Sequence, residues 1–391
     1  MESAVILEGA RTPIGRFLGS LAEVPTVELG EIATREALRR AGVAAEDVQE
    51  VVFGHARQAG NGPNTARQVS YRSGIPQEVP AFTANMACGS GTKAVQLGAE
   101  QIALGNAEVI VVGGMENMSR TPYLLDRMRT GFRMGPAEVV DGMYRDGFVD
   151  PLSGCIMGET AENLAVKYEI SRQEQDEFAL ASQRKAAEGR ERRGKEITPV
   201  EIAGRKGDSV VVAEDEHPRA DTTLEGLAKL RPTFAADGTV TPGSSSGITD
   251  GAAAMVLMSA SRARAEGREP LAKLVAFASA GVDPAYMGIG VVPATRKVLE
   301  KTGLSLQDFD VIEVNEAFAA QVLACDRELK FDHDKLNPKG GAIAIGHPIG
   351  MTGARIVLTA AYELRERGLD LALATLCISG GMGMAVVLER A

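Results

Sequence analysis

Two stretches far apart in the chain follow the same order. In the first, Cys88-Gly89-Ser90-Gly91 opens a helical pattern, which leads to the apolar run Val109–Val112 and then to Gly113-Gly114-Met115. In the second, His347-Pro348-Ile349-Gly350 opens a helical pattern, which leads to Leu371–Leu376 and then to Gly380-Gly381-Met382. Each is a reactive side chain in a Gly-rich turn, followed by helix, strand and Gly-Gly-Met. A shared order of this kind points to a duplicated unit. Two similar halves also suit the length: 391 residues exceed the ~250–300 at which a single core stops growing.

Short apolar runs alternate with amphipathic stretches. Ala4–Leu7, Val51–Gly54, Glu108–Val112 and Ala252–Met258 read as strands, and Ala81–Ala87 as a strand-like approach to Cys88. Thr26–Ala41, Thr65–Ser73 and Thr92–Leu104 read as helices, the last stopped by Gly105-Asn106. This alternation argues for an α/β fold with parallel sheets and helical crossovers. The middle of the chain is different. From about Ser119 to Asp250 it is rich in Arg, Asp and Gly, with amphipathic helices expected over Glu159–Tyr168 and Arg172–Arg190. It reads as an inserted loop domain. The expected division is residues 1–118 with 250–270 as the N-terminal half, 119–249 as the insert, and 271–391 as the C-terminal half.

Charge narrows the function. The net charge of −10 comes with no basic stripe, which argues against nucleic acid as a partner. The most basic stretch, Arg184 to Lys195, is broken by Glu188 and Glu191 and reads as a solvated helix face. No apolar run approaches the ~18 residues of a membrane span. The four cysteines, Cys88, Cys155, Cys325 and Cys377, form no C-x-x-C and no zinc-like spacing with histidine. Free thiols and a cytoplasmic location are expected. No signal peptide is expected before the first strand, and no address signal in Leu388–Ala391.

Four residues stand out as candidates for chemistry. Cys88 sits in Asn85-Met86-Ala87-Cys88-Gly89-Ser90-Gly91, ahead of a helix whose dipole would favour a thiolate. Its glycines would admit a ligand and leave N–H groups free for an anion. The alternative is a small buried hydrophobe. His347, held between Gly346 and Pro348, would take a thiol proton or simply fill a turn. Cys377, in Leu376-Cys377-Ile378-Ser379-Gly380-Gly381, is either a general acid/base or a core cysteine. Asn315, in Glu313-Val314-Asn315-Glu316-Ala317, would cap the following helix, orient a water, or both. His55, His217 and His333 read as structural or solvated.

With those sites in view, the chain resembles the thiolase family along nearly its whole length. The matching segments, in order, are Arg11-Thr12-Pro13-Ile14-Gly15, the Cys88 motif, Gly113 to Met118, Met157 to Asn163, Ser246-Gly247 with Asp250 to Ala253, and the Asn315, His347 and Cys377 motifs. The resemblance implies two α/β/α/β/α halves with an inserted loop domain. It also implies roles. Cys88 takes the acyl group as a thioester, His347 activates Cys88, and Cys377 moves the proton of the second acyl-CoA. Asn315 holds a water that forms one oxyanion hole with His347; the N–H groups of Cys88 and Ser379 form the other. The reaction implied is a reversible Claisen condensation of two acetyl-CoA, or thiolysis of a 3-oxoacyl-CoA, with ping-pong kinetics. CoA and acyl-CoA are substrates; no metal and no permanently bound cofactor is expected. By resemblance Arg219 lies near the adenine and Ser246 bonds the pantetheine arm. Met157, Phe234, Met287 and Phe318 surround the acyl and pantetheine pocket. A homo-oligomer is implied, tetramer ahead of dimer.

Three positions depart from the family's usual pattern: Ser379 stands for Gly, Ile156 for His, and Ser244 for Asn. They bear on chain length and direction, not on reaction class. Two rivals share the fold. A condensing enzyme of fatty-acid or polyketide type pairs its cysteine with two histidines and lacks a C-terminal catalytic cysteine, so Cys377 argues against it. A non-catalytic acyl-CoA or lipid carrier would lack one of Cys88, His347 or Cys377. A β-oxidation 3-ketoacyl-CoA thiolase for longer chains is the variant reading within the family.

Overall fold

A computed structural model describes residues 2–204 and 208–391. Its main strands join in one continuous hydrogen-bonded sheet, built from Ala4–Arg11 (β1), Glu50–Gly54 (β2), Ala81–Ala84 (β3), Val109–Asn117 (β4), Thr249–Ser259 (β5), Ala272–Gly281 (β6), Val311–Val314 (β7), Leu371–Ile378 (β8) and Met382–Glu389 (β9). The order across it is β7-β8-β9-β6-β1-β5-β4-β2-β3, and Gly15–Arg16 adds a short pair to β5. The sheet is mixed. Only β7/β8, β2/β4 and β2/β3 are parallel, so the expectation of parallel sheets is corrected. The middle strands β1, β5, β6 and β9 run antiparallel to their neighbours.

The duplication is visible in this order. β2, β4, β5 and β1 correspond to β7, β8, β9 and β6, and the halves meet where Val5 and Ile6 of β1 pair with Lys273 and Ala272 of β6. The Gly-Gly-Met match does not extend to structure. Gly380 and Gly381, at φ +82° and +77°, make the tight turn from β8 into β9, a conformation that favours glycine. Gly113 and Gly114 lie inside β4, where a Cβ on Gly114 would sit 2.1 Å from the Gly350 carbonyl oxygen. Where the second half has that short turn, the first carries residues 118–248.

The strands alternate between two apolar surfaces, as a period of two demands. Ile6, Ile110, Val112 and Leu376 join one cluster with the helices Ser90–Ala103 (α2) and Ile349–Arg367 (α7). Val5, Leu7, Val109 and Val111 face the other way, onto Thr26–Ala41 (α1). In the second half, Leu373, Ala385 and Val387 face Val291–Thr302 (α5) and Ala319–Leu329 (α6). The outcome is α/β/α/β/α layering with α2 and α7 buried at the centre. Each fully buried Leu, Ile or Val there contributes about 1.5–3 kcal/mol relative to exposure. The two central helices nearly touch: a Cβ on Gly91 would lie 2.4 Å from the Ala354 nitrogen.

Between β4 and β5 lie the helices Met157–Lys167 (α3) and Arg172–Glu188 (α4) and a hairpin, Val200–Ala203 with Ser209–Val212. The basic stretch after Arg184 is not simply a solvated face. Arg193 is buried against Asp215 (3.3 Å), and Arg192 reaches Glu363 of α7 (2.8 Å). Asp215 also pairs with Arg11 of β1 (2.7 Å) and accepts from the Ile14 N–H (3.0 Å). Glu196 joins Arg11 (3.1 Å) and Lys339. A buried charge network therefore ties this segment to both halves.

Candidate active site

Cys88 sits on a strained turn between β3 and α2. Ala87 has φ +45°, unusual for a residue with a side chain. Neighbouring side chains hold it there. Asn85 Oδ1 accepts from the Ala87 N–H (3.0 Å), and Ser90 Oγ accepts from the Met86 N–H (2.9 Å) and donates to the Ala87 oxygen (2.7 Å). The flanking glycines have close protein neighbours: a Cβ on Gly89 would lie 2.5 Å from Ile378 Cδ1 at the end of β8. That approach brings β8 against the turn. The N–H groups of Ser379 and of Cys88 itself face the Cys88 sulfur. Ser379 does not have positive φ, so the side chain in place of glycine brings no backbone strain.

The thiol is not a ready thiolate. Burial pushes it above its ordinary value, and the Ser379 N–H and the charge of Arg57 offset this only in part. Burial thus opposes the thiolate-favouring dipole expected of α2. His347 lines the same cavity as Cys88. Its Nδ1 lies 2.7 Å from Thr352 Oγ1, which lies 2.9 Å from the Pro348 carbonyl oxygen. The hydroxyl has one proton. Given to Pro348, it leaves Oγ1 to accept from Nδ1–H. Nε2 then carries the lone pair, and it has no protein partner. Burial, then the charges of Arg355 and Arg57, hold the imidazole down to about 3, so it is neutral at pH 7.

Cys377 is the last residue but one of β8, paired with Gly383 of β9, and is buried. Burial pushes its thiol well up, with Cys88 nearby adding to the effect. Asn315 does not cap a helix as expected. α6 starts only at Ala319, whose N–H donates to the Ser244 oxygen (2.8 Å). Both polar atoms of the Asn315 amide are instead buried without a protein partner.

These elements converge on a cavity of about 430 Å³. Cys88, His347, Cys377 and Ser379 line it; Met157, Phe234, Met287 and Phe318 form an apolar wall; Ser246 and Arg219 also line it. Phe234 and Phe318 meet edge to face at 6.0 Å. Asn315 is not in the lining, though Ala317 and Phe318 beside it are. The site thus brings together two thiols, an unprotonated imidazole and two N–H groups aimed at one sulfur, which is equipment for acyl transfer.

Comparison with known proteins agrees with that chemistry. The thiolase N-terminal domain family matches residues 4–261, and the thiolase C-terminal domain family matches residues 268–390. The chain belongs to the thiolase family. Among relatives, the acetyl-CoA acetyltransferase of Pseudomonas aeruginosa is 52% identical and that of Escherichia coli 50%, each over 100% of both chains. The crystal structure of the Bacillus anthracis acetyl-CoA acetyltransferase superposes with a TM-score of 0.97 at 46% identity, covering 100% of this chain and 99% of that one.

Two lining residues of this thiolase escaped the sequence reading. His217, expected to be structural or solvated, is partly buried in the cavity, with Nδ1 3.0 Å from the Ala344 oxygen. Burial holds its imidazole below the ordinary value. Arg57 lines the cavity too, just after β2. Neither lies in a patterned segment; the nearness of His217 to Arg219 was the one available signal. His55 is structural as expected, buried between Thr65 (3.0 Å) and Glu116 (3.2 Å). His333 is exposed beside Asp326 (3.1 Å). Among the described residues, no helix is long and apolar enough to cross a membrane.

Proposed function

We propose that this thiolase condenses two acetyl-CoA to acetoacetyl-CoA and CoA, and runs the reverse thiolysis, as an acetyl-CoA acetyltransferase. The observation that carries the reading is the unpaired Nε2 of a neutral His347 in one cavity with two thiols. His347 Nε2 takes the Cys88 proton, and the thiolate attacks the thioester carbonyl of acetyl-CoA. The N–H groups of Cys88 and Ser379 hold the oxyanion; CoA leaves as the thiol with the proton of Cys377, and acetyl-Cys88 remains. Cys377, now a thiolate, takes a methyl proton from a second acetyl-CoA. The enolate oxygen is held by the protonated His347 and a water on the Asn315 amide; its carbon attacks acetyl-Cys88, and the expelled Cys88 sulfur takes its proton back from His347. The two unpartnered polar atoms of Asn315 suit such a water.

In this reading segment 119–249 binds CoA, with Arg219 near the adenine and Ser246 on the pantetheine arm. Met157, Phe234, Met287 and Phe318 enclose the acyl end and favour a short group. The protein acts in the cytoplasm as a homo-oligomer, tetramer ahead of dimer, without a permanently bound cofactor. Support for assembly comes from β3, an edge strand with Phe82 exposed, and from the exposed Tyr123, Met128, Phe132 and Met134. The test is incubation with acetyl-CoA followed by intact-mass analysis and peptide mapping. One acetyl group on Cys88 is expected; no adduct, or one elsewhere, overturns the mechanism.

A further inference from the structure

Arg57 is only 8% exposed, yet its guanidinium has no counter-charge. Among the described residues no carboxylate lies within ion-pair distance of it, and its Nε is buried without a hydrogen-bond partner. Glu116 is engaged elsewhere. It accepts from the backbone N–H groups of Ala56 (3.2 Å), Arg57 (3.1 Å) and Gly350 (3.0 Å) and faces His55 Nε2 (3.2 Å). Gly147 packs against the guanidinium so closely that a Cβ there would lie 2.6 Å from Nε. An unpaired buried charge is costly, because its desolvation is not repaid by a partner. A fold that keeps such a cation gains from it elsewhere.

The cavity that Arg57 lines shows where. No carboxylate lines it. Its titratable and charged groups are Cys88, Cys377, His347, His217, Tyr144 and the exposed Arg219, with Glu116 behind the wall. The thiols and imidazoles are neutral at pH 7 in the resting site. An anion arises here when a thiol ionises. We propose that Arg57 is an electrostatic positioning residue for Cys88: its buried, unpaired guanidinium is the fixed counter-charge for the Cys88 thiolate. A fixed charge beside the cavity stabilises the anion without reorganisation when it forms. The same charge disfavours protonation of His347 and keeps it available as a base. The proposal rests on the reading of Cys88 as nucleophile.

Iodoacetamide tests it without any acyl-CoA, since the thiolate sulfur bonds to the methylene carbon as iodide leaves. The rate of Cys88 alkylation is followed by peptide mapping from pH 5 to 10 in wild type, Arg57→Met and Arg57→Lys. Arg57→Met should move the midpoint up by about one unit, which is about tenfold slower alkylation at pH 7. Arg57→Lys should restore most of that. The melting temperature of Arg57→Met should not fall, whereas a merely structural arginine would lower it and leave the midpoint in place. Should the Met variant not fold, Arg57→Gln serves in the same assay. Coincident profiles for wild type and the neutral variants, or a Lys variant that behaves like Met, would overturn the role. Failure of wild type to acetylate Cys88 would sink the thiolase mechanism instead, and leaves the alkylation result standing on its own.

Discussion

Replacing Thr352 with valine removes one hydroxyl and keeps the shape. In the native site that hydroxyl accepts from His347 Nδ1–H at 2.7 Å and donates to Pro348 at 2.9 Å. Without it, the Nδ1–H tautomer leaves a buried donor unpaired, at a cost of about 1–3 kcal/mol. The imidazole then favours the other tautomer, whose proton occupies Nε2, the atom that must receive the Cys88 proton. At 1.36 kcal/mol per tenfold, the acylation rate should fall by roughly one to two powers of ten. Thr352 lies behind the imidazole and is 1% exposed, so KM for acetoacetyl-CoA should change little. Rapid-quench mass spectrometry of Cys88 acetylation reads the rate directly. Thr352→Ser, which keeps the hydroxyl, should recover most of it. Wild-type acetylation rates in Thr352→Val would refute the tautomer argument.

Other expectations follow from the same geometry. Cys377→Ala should still be acetylated on Cys88 but should not exchange the acetyl-CoA methyl protons with deuterated solvent; normal exchange removes Cys377 from that role. The Asp215 carboxyl is held at about 2, against an ordinary 3.8, by Arg11 and Arg193 despite burial. Its depressed value means stabilisation that is complete above pH 4 and lost as pH falls through 2. Asp215→Asn should therefore cost about 2–3 kcal/mol at pH 7, from a shift of about two units at about 1.36 kcal/mol each, measured by urea unfolding, and the gap to wild type should close in acid. Thiolysis should favour acetoacetyl-CoA over 3-oxooctanoyl-CoA, with each excess methylene costing about 1–3 kcal/mol. A clear preference for the longer chain in kcat/KM would point to the β-oxidation type. Light scattering at micromolar concentration should give an oligomer, and a monomeric mass would refute assembly.

Local chemistry was legible in the sequence. The helix Thr26–Ala41 was read to both ends because its apolar period acts within a few residues. Cys88, His347 and Cys377 stood out because turns that carry a reactive side chain need glycine or proline beside it. Strand direction was not legible, since an apolar run such as Ala252–Met258 is the same string whether its neighbours run with it or against it. Neither was the state of the thiol. The dipole of α2 is local, but the burial that raises the thiol exists only in the folded chain, where Ile378 of β8 packs against Gly89. Arg57 and His217 were invisible as cavity residues for the same reason: what makes each unusual is burial beside partners from distant segments. The sequence alone determined which groups are available for acyl transfer. Tertiary packing decided their protonation, because burial and charge act through space and not along the chain.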